Sequence, residues 1–168
     1  MSSLAEIYTQ YAPDVYRFSL GLCGDPHLAE DLTSETFVRA IVASAPIRTK
    51  TVKAYLFTIA RHLFLQSWRK EKRFFQLDEE VQLQLQVEEP GPEKIAQSRE
   101  ALNNLLEALQ ELPEIDRTAL LMRAYEGLGY QDIAAALNIS LSAAKVKVYR
   151  ARIKLAAILN EDNYENHP

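Results

Sequence analysis

Apolar residues recur every three or four positions through most of this chain, and that period commits it to helices. From Leu4 to Leu22 the residues Ile7, Tyr8, Tyr11, Val15, Phe18 and Leu22 fall on one helical face. Gly24-Asp25-Pro26 stops that helix. A second is predicted from near Pro26 to about Ala43, with Leu28, Leu32, Thr36, Phe37, Ala40 and Ile41 inward, and Pro46 ends the region. A third runs from about Val52 to Arg73 on Leu56, Ile59, Ala60 and Leu63. Later in the chain Leu102, Leu105, Leu106 and Leu109 form a stripe that ends at Leu112-Pro113. Pro113 fits the first turn of the next helix, where a missing N–H is tolerated, and Glu114 and Asp116 suit its dipole. Ala119, Leu120, Met122 and Arg123 carry that helix to Tyr125, with Gly127 as its stop. Five glycines and few β-branched runs leave little material for sheet. The expected fold class is all-α.

Between these groups lies FFQLDEEVQLQLQVEEPGPEKIAQ, with the breaker Pro90-Gly91-Pro92 and repeated Gln and Glu. Leu77, Val81, Leu83, Leu85 and Val87 partly alternate with polar residues, which would suit a short strand, but the composition favours a flexible linker. The expected organisation is two small helical domains, 1–73 and 98–168, the second with a short acidic tail, joined by an acidic linker over 74–97. A chain of 168 residues is long enough for both.

Several chemistries are disfavoured. One cysteine, Cys23, makes no internal disulfide and no paired-cysteine zinc site. His27, His62 and His167 have no ligand spacing, so no metal or cofactor is expected. There is no paired-carboxylate pocket, no nucleophile with a base and no phosphate-binding glycine loop, so no catalytic residue is assigned and no enzyme is expected. The N-terminus lacks a signal pattern and no apolar stretch approaches the ~20 residues of a membrane span, which points to the cytoplasm.

A net charge of −4 argues at first against nucleic acid. The distribution argues the reverse. Arg48, Lys50, Lys53, Arg61, Arg69, Lys70, Lys72 and Arg73 share their stretch with one acid, Glu71, and Lys145, Lys147, Arg150, Arg152 and Lys154 have none among them. These two stretches hold 13 of the 19 Lys and Arg, so the local field is cationic in two places whatever the total.

The second stretch sits in a helix-turn-helix, Leu128 to Leu155. YQDIAAAL is a short helix with Ile133, Ala134 and Leu137 inward and alanines that permit close approach. Asn138 suits a left-handed turn, Ile139 plugs the corner, and Ser140 or Ser142 caps the next helix. In such a motif the second helix enters the major groove. Val148, Ala151 and Leu155 make its inward stripe; Lys145, Tyr149 and Arg152 share the outward face. Two further groups stand out. Asp31 and Glu35, four apart, repel on an exposed face, which a basic partner would relieve. Tyr55, Phe57, Phe64 and Trp68 interleave with Arg61, Arg69, Lys70, Lys72 and Arg73, a mixture that suits either a core or a surface on which single-stranded bases stack.

Taken in order, these segments resemble the extracytoplasmic-function (ECF) sigma factors, small bacterial transcription initiation factors. AEDLTSETFVRAI is similar to that family's segment for core RNA polymerase, KAYLFTIARHLFLQSWRKEKR to its promoter −10 segment, and LQELPEIDRTALLMRAYEGLGYQDIAAALNISLSAAKVKVYRARIKL to its −35 module. The resemblance runs from about Tyr11 to Leu159. It implies that Asp31, Ser34, Glu35 and Val38 bind core polymerase. It places Lys53, Tyr55, Arg61, His62, Gln66, Trp68, Arg69, Lys70, Lys72 and Arg73 on the −10 element, with a flipped base near His62 and Gln66 and Tyr55, Phe64 and Trp68 as stacking walls. It places Ser142, Lys145, Val146, Lys147, Tyr149, Arg150 and Arg152 on the −35 element, Lys145, Tyr149 and Arg150 nearest the base edges. Core RNA polymerase, promoter DNA and an inhibitory anti-sigma factor are the implied partners. The chain departs from the family's usual residues at Ser34 (often Gln), at His62 and Gln66 (often Asn and Asp), and at Ala143-Ala144 (often Thr-Val). From the residues alone a rival stays open: a helix-turn-helix regulator that binds DNA without joining the polymerase.

Overall fold

The computed structural model describes residues 4–43, 51–74 and 93–165, with side chains given outside 71–74, 93–96 and 162–165. Helices α1 (Leu4–Cys23), α2 (Pro26–Val42) and α3 (Val52–Phe74) form the first group. Helices α4 (Glu93–Gln110), α5 (Glu114–Leu120), α6 (Tyr130–Leu137) and α7 (Leu141–Glu165) form the second, with a π-helical turn, Leu121–Tyr125, continuing α5. Among the described residues there is no strand; the alternating run Leu77–Val87 lies outside them.

The helices start and stop for local reasons. Asp25 accepts the His27 N–H at 3.0 Å, and Pro26 opens α2, where its missing donor is not needed. Gly24 and Gly127 take φ of +72° and +66°, in the left-handed region that closes helices. Pro113 caps α5 from outside, one position earlier than the sequence suggested. Helix α4, by contrast, starts earlier than expected: residues 93–97, expected in the linker, are helical.

Val15, Phe18 and Leu22 of α1, Leu32 and Phe37 of α2, and Leu56, Phe57, Ala60 and Leu63 of α3 make the first core, with Phe18 and Phe57 stacked at 4.4 Å. Ile41, expected inward, is exposed. The second core is Leu106, Leu109, Leu112, Ala119, Met122, Ile133, Ala134, Leu137, Ala144, Val148 and Ala151. The two cores are continuous. Gly21 has no Cβ to meet the Leu121 side chain, which would stand 2.6 Å from it, so α1 and the π-helical turn approach closely. Arg117 crosses the seam: its guanidinium donates to the Leu22 carbonyl of α1, to Gln110 Oε1 at 3.1 Å and to the Leu112 carbonyl at 3.3 Å, and lies over the Phe64 ring. Gln110 in turn donates to the Gly21 carbonyl.

Candidate nucleic-acid and polymerase interface

Helix α6 ends at Asn138, whose φ of 55° and ψ of 48° are left-handed, as its short polar side chain allows. Ser140 Oγ then accepts the Ala143 N–H at 3.0 Å and caps α7. Ile139 packs against the core between them. Ala144, Val148 and Ala151 are buried on the inner face of α7, and Ser142, Lys145, Val146, Tyr149, Arg150 and Arg152 are exposed on the outer ones, Tyr149 by 69%. Arg123 lies over the Tyr130 ring at 4.3 Å and donates to the Leu128 carbonyl, which braces the start of α6. Lys147 differs from its neighbours: it is partly covered, 3.8 Å from the buried carboxylate of Asp116 in α5.

On α2 the residues Asp31, Ser34, Glu35 and Val38 are exposed together. They line one wall of an open groove whose other wall is Gln66, Ser67 and Lys70 of α3. The repulsion expected between Asp31 and Glu35 is moderated, because Arg39 pairs with Glu35 at 3.6 Å.

On α3 the aromatics divide. Phe57 and Phe64 are buried, which corrects the expectation that Phe64 is a stacking wall: its ring packs beneath Arg117. Tyr55 is partly buried against the core, while Trp68 is 46% exposed. His62, Gln66, Arg69 and Lys70 are exposed along the helix. The side chains of Lys72 and Arg73 are outside the described residues. Two of the expected −10 cations are engaged within the protein. Arg61 makes a two-pronged pair with Glu114 of α5, Nε to Oε1 at 2.7 Å and Nη2 to Oε2 at 3.0 Å. Lys53 lies 3.5 Å from Glu126 and 3.6 Å from Asp14.

These partners were not foreseen, since 53 residues separate Arg61 from Glu114 and no local pattern links them. Their electrostatics differ. Burial alone would raise the Glu114 carboxyl; hydrogen bonds and charge from Arg61, with help from Thr118 and Arg117, outweigh it and hold the group below its ordinary value. Glu126 has a side chain only 1% exposed, and there burial wins: its pKa is raised, although Arg17 and Lys53 oppose the shift. Among the described residues no group of His, Cys, Asp and Glu could hold a metal ion, and no helix is long and apolar enough to cross a membrane.

Among the described residues the chain is helical, with a capped helix-turn-helix in its second helix group and a cationic helix, α3, in its first, an arrangement that suits a nucleic-acid-binding protein. The comparisons define it further. Residues 7–74 match the family model for Sigma-70 region 2, and residues 102–155 that for Sigma-70 region 4. The ECF RNA polymerase sigma factor SigM of Bacillus subtilis is 34% identical over 161 residues, covering 94% of this chain and 96% of SigM. SigE of Mycolicibacterium smegmatis is 33% identical over 98% of this chain, which spans 65% of that longer protein. The sigma factor RpoE of Bartonella quintana, solved in complex with the anti-sigma factor NepR, superposes with a TM-score of 0.72 at 25% identity, covering 93% of this chain and 96% of RpoE. The chain belongs to the ECF RNA polymerase sigma factors.

Proposed function

We propose that this sigma factor divides its work between the two helical groups: residues 1–73 bind core RNA polymerase and the −10 element, and 98–168 read the −35 element. The outer face of α2, with Asp31, Ser34, Glu35 and Val38, docks on a basic surface of the polymerase. Helix α3 presents His62, Gln66, Trp68, Arg69 and Lys70 to the opened −10 strand, with Lys53, Tyr55, Arg61, Lys72 and Arg73 completing its contacts. Unstacking a base there costs a few kcal/mol, which polymerase contacts offset. Helix α7 enters the major groove, with Lys145, Tyr149 and Arg150 on base edges, Ser142 and Val146 beside them, and Lys147 and Arg152 on phosphates. The protein contributes no catalytic chemistry of its own and works in the cytoplasm. The observation that carries this reading is that the region 2 and region 4 matches fall on the two helix groups that hold these residues. An anti-sigma partner is supported by RpoE, which was solved in complex with NepR and whose own chain superposes over 93% of this one.

Run-off transcription with purified core polymerase on a promoter library tests it. New start sites are expected on adding the protein. No new start sites, together with no binding to core, would overturn the proposal and favour the DNA-only regulator. Asp31→Ala with Glu35→Ala should weaken core binding, and unchanged affinity refutes their role.

A further inference from the structure

The spacing of the two promoter elements conflicts with the arrangement of the two helix groups. Elements centred about 25 base pairs apart at ~3.4 Å per pair are roughly 85 Å distant along the duplex. A compact chain of this length has a radius of gyration of only about 15 Å. One molecule in this closed form cannot lie on both elements, so α3 and α7 must separate before the promoter is read.

We infer that Glu114 is an internal stand-in for promoter phosphate: it latches the two helix groups together through Arg61 and thereby withholds Arg61 from DNA until the latch opens. The inference rests on the reading of α3 as the −10 helix. A carboxylate gripped through both oxygens by a guanidinium reproduces the fork geometry with which Arg grips phosphate. The pair is well shielded, with Arg61 14% and Glu114 24% exposed. Glu114 is also held in place, because Thr118 Oγ1 donates to the same Oε1 at 2.9 Å. Arg61 thus cannot serve DNA and Glu114 together. Its ionised form favours the closed arrangement, as the lowered pKa of Glu114 requires. Asp116, in the same first turn of α5, lies 3.8 Å from the Lys147 ammonium of α7, a single longer contact, so one turn faces a cation from each DNA-facing helix. The Asp116 pair lies within the second group and does not break when the groups part; the latch proper is Arg61–Glu114.

The protein contains its own reporter. Trp68, its single tryptophan, is half-exposed and lines a cavity of about 520 Å³ together with Glu114, Arg117 and Gln110 at the seam, so opening would expose its remaining covered side.

The test uses the full chain without polymerase. Affinity for a labelled mixed-sequence fork DNA is measured by anisotropy, since phosphate contacts are independent of sequence, and opening is followed by iodide quenching of Trp68. Glu114→Gln is expected to increase both quenching and affinity, the affinity by between about 5-fold and 150-fold as for typical coupling between sites. Glu111→Gln, the same charge change on an exposed residue nearby, controls for the general rise in field and should do neither. Adding Arg61→Gln to Glu114→Gln should abolish the gain in affinity while Trp68 stays quenchable. The exchanged pair Arg61→Glu with Glu114→Arg should close again, returning Trp68 quenching to the wild-type level, yet bind DNA more weakly than wild type; this arm stands even if Glu114→Gln alone fails to fold.

Unchanged quenching and affinity in Glu114→Gln, with Arg61→Gln alone weakening DNA binding, would sink the latch and leave the −10 assignment standing. Increased quenching with no effect of Arg61→Gln on affinity in the opened protein would remove Arg61 from the DNA site, and the phosphate analogy with it. An exchanged pair as quenchable as Glu114→Gln would also overturn the latch.

Discussion

Arg117→Met should cost about 3–5 kcal/mol of stability, the range for removing one partner from a buried charged network. Methionine keeps much of the length and apolar bulk of arginine, so the substitution isolates the guanidinium. Three acceptors lose their donor: the Leu22 carbonyl near the end of α1, Gln110 Oε1, and the Leu112 carbonyl just beyond α4. The two carbonyls lie at helix ends, where no backbone N–H of the same helix serves them. Each of these two carbonyls, stranded away from water, costs about 1–3 kcal/mol, whereas Gln110 is exposed and can turn to solvent. An opposing gain reduces the total. Burial lowers the Arg117 pKa although Glu114 opposes the shift, so the cation is not fully compensated, and Arg117 Nε is buried with no acceptor. Equilibrium urea unfolding followed by far-ultraviolet circular dichroism gives the number. Because Arg117 ties α5 to α1 and α4, the variant should also broaden or split the transition as the helix groups uncouple. Arg117→Lys, with one ammonium and no fork, should fall between the two. A loss below about 1 kcal/mol with an unbroken single transition would show that the apolar seam alone holds the groups together, and would refute the reasoning.

Asn138→Ile should destabilise by about 1–2 kcal/mol in the same assay, since a β-branched residue is strained at that left-handed φ, whereas Asn138→Gly should be close to neutral. Tyr149→Ala should leave the melting temperature unchanged, the side chain being largely exposed, and reduce discrimination at one −35 base pair by about 1–3 kcal/mol in a binding-site selection. Glu126 gives a pH dependence of defined sign. Its folded pKa is raised, so the ionised form costs stability above that pKa and the cost disappears as pH falls through it. The melting temperature of Glu126→Gln relative to wild type should therefore be highest at neutral pH and decline on acidification; a difference that grows on acidification would contradict the burial argument.

The helices were legible because their causes are local. Asp25, Gly24, Asn138 and Ser140 each act on backbone within a few residues of themselves, so the ends of α1, α2, α6 and the start of α7 could be read directly. Periodicity likewise identified the inner faces of α1, α6 and α7. It missed the π-helical turn after α5, where the Glu126 N–H reaches back five residues to Leu121, because a one-residue widening leaves the apolar spacing almost unchanged. The fate of the aromatics on α3 was also undecided, since Phe64 and Trp68 are four apart and share a helical face. Packing across the seam decides between them: Phe64 joins the apolar core with Arg117 over its ring, and Trp68, one turn on, is half-exposed.

By itself, then, the sequence determined the helices, the helix-turn-helix and the cationic faces, all of which follow from the order of residues along the chain. The tertiary structure alone decided which cations are available. Arg61, Lys53 and Lys147 are indistinguishable from their neighbours as letters, and only packing brings Glu114, Glu126 and Asp116 to them. Charge pairing depends on distance in space, and over separations of 31 to 73 residues the sequence does not encode that distance locally.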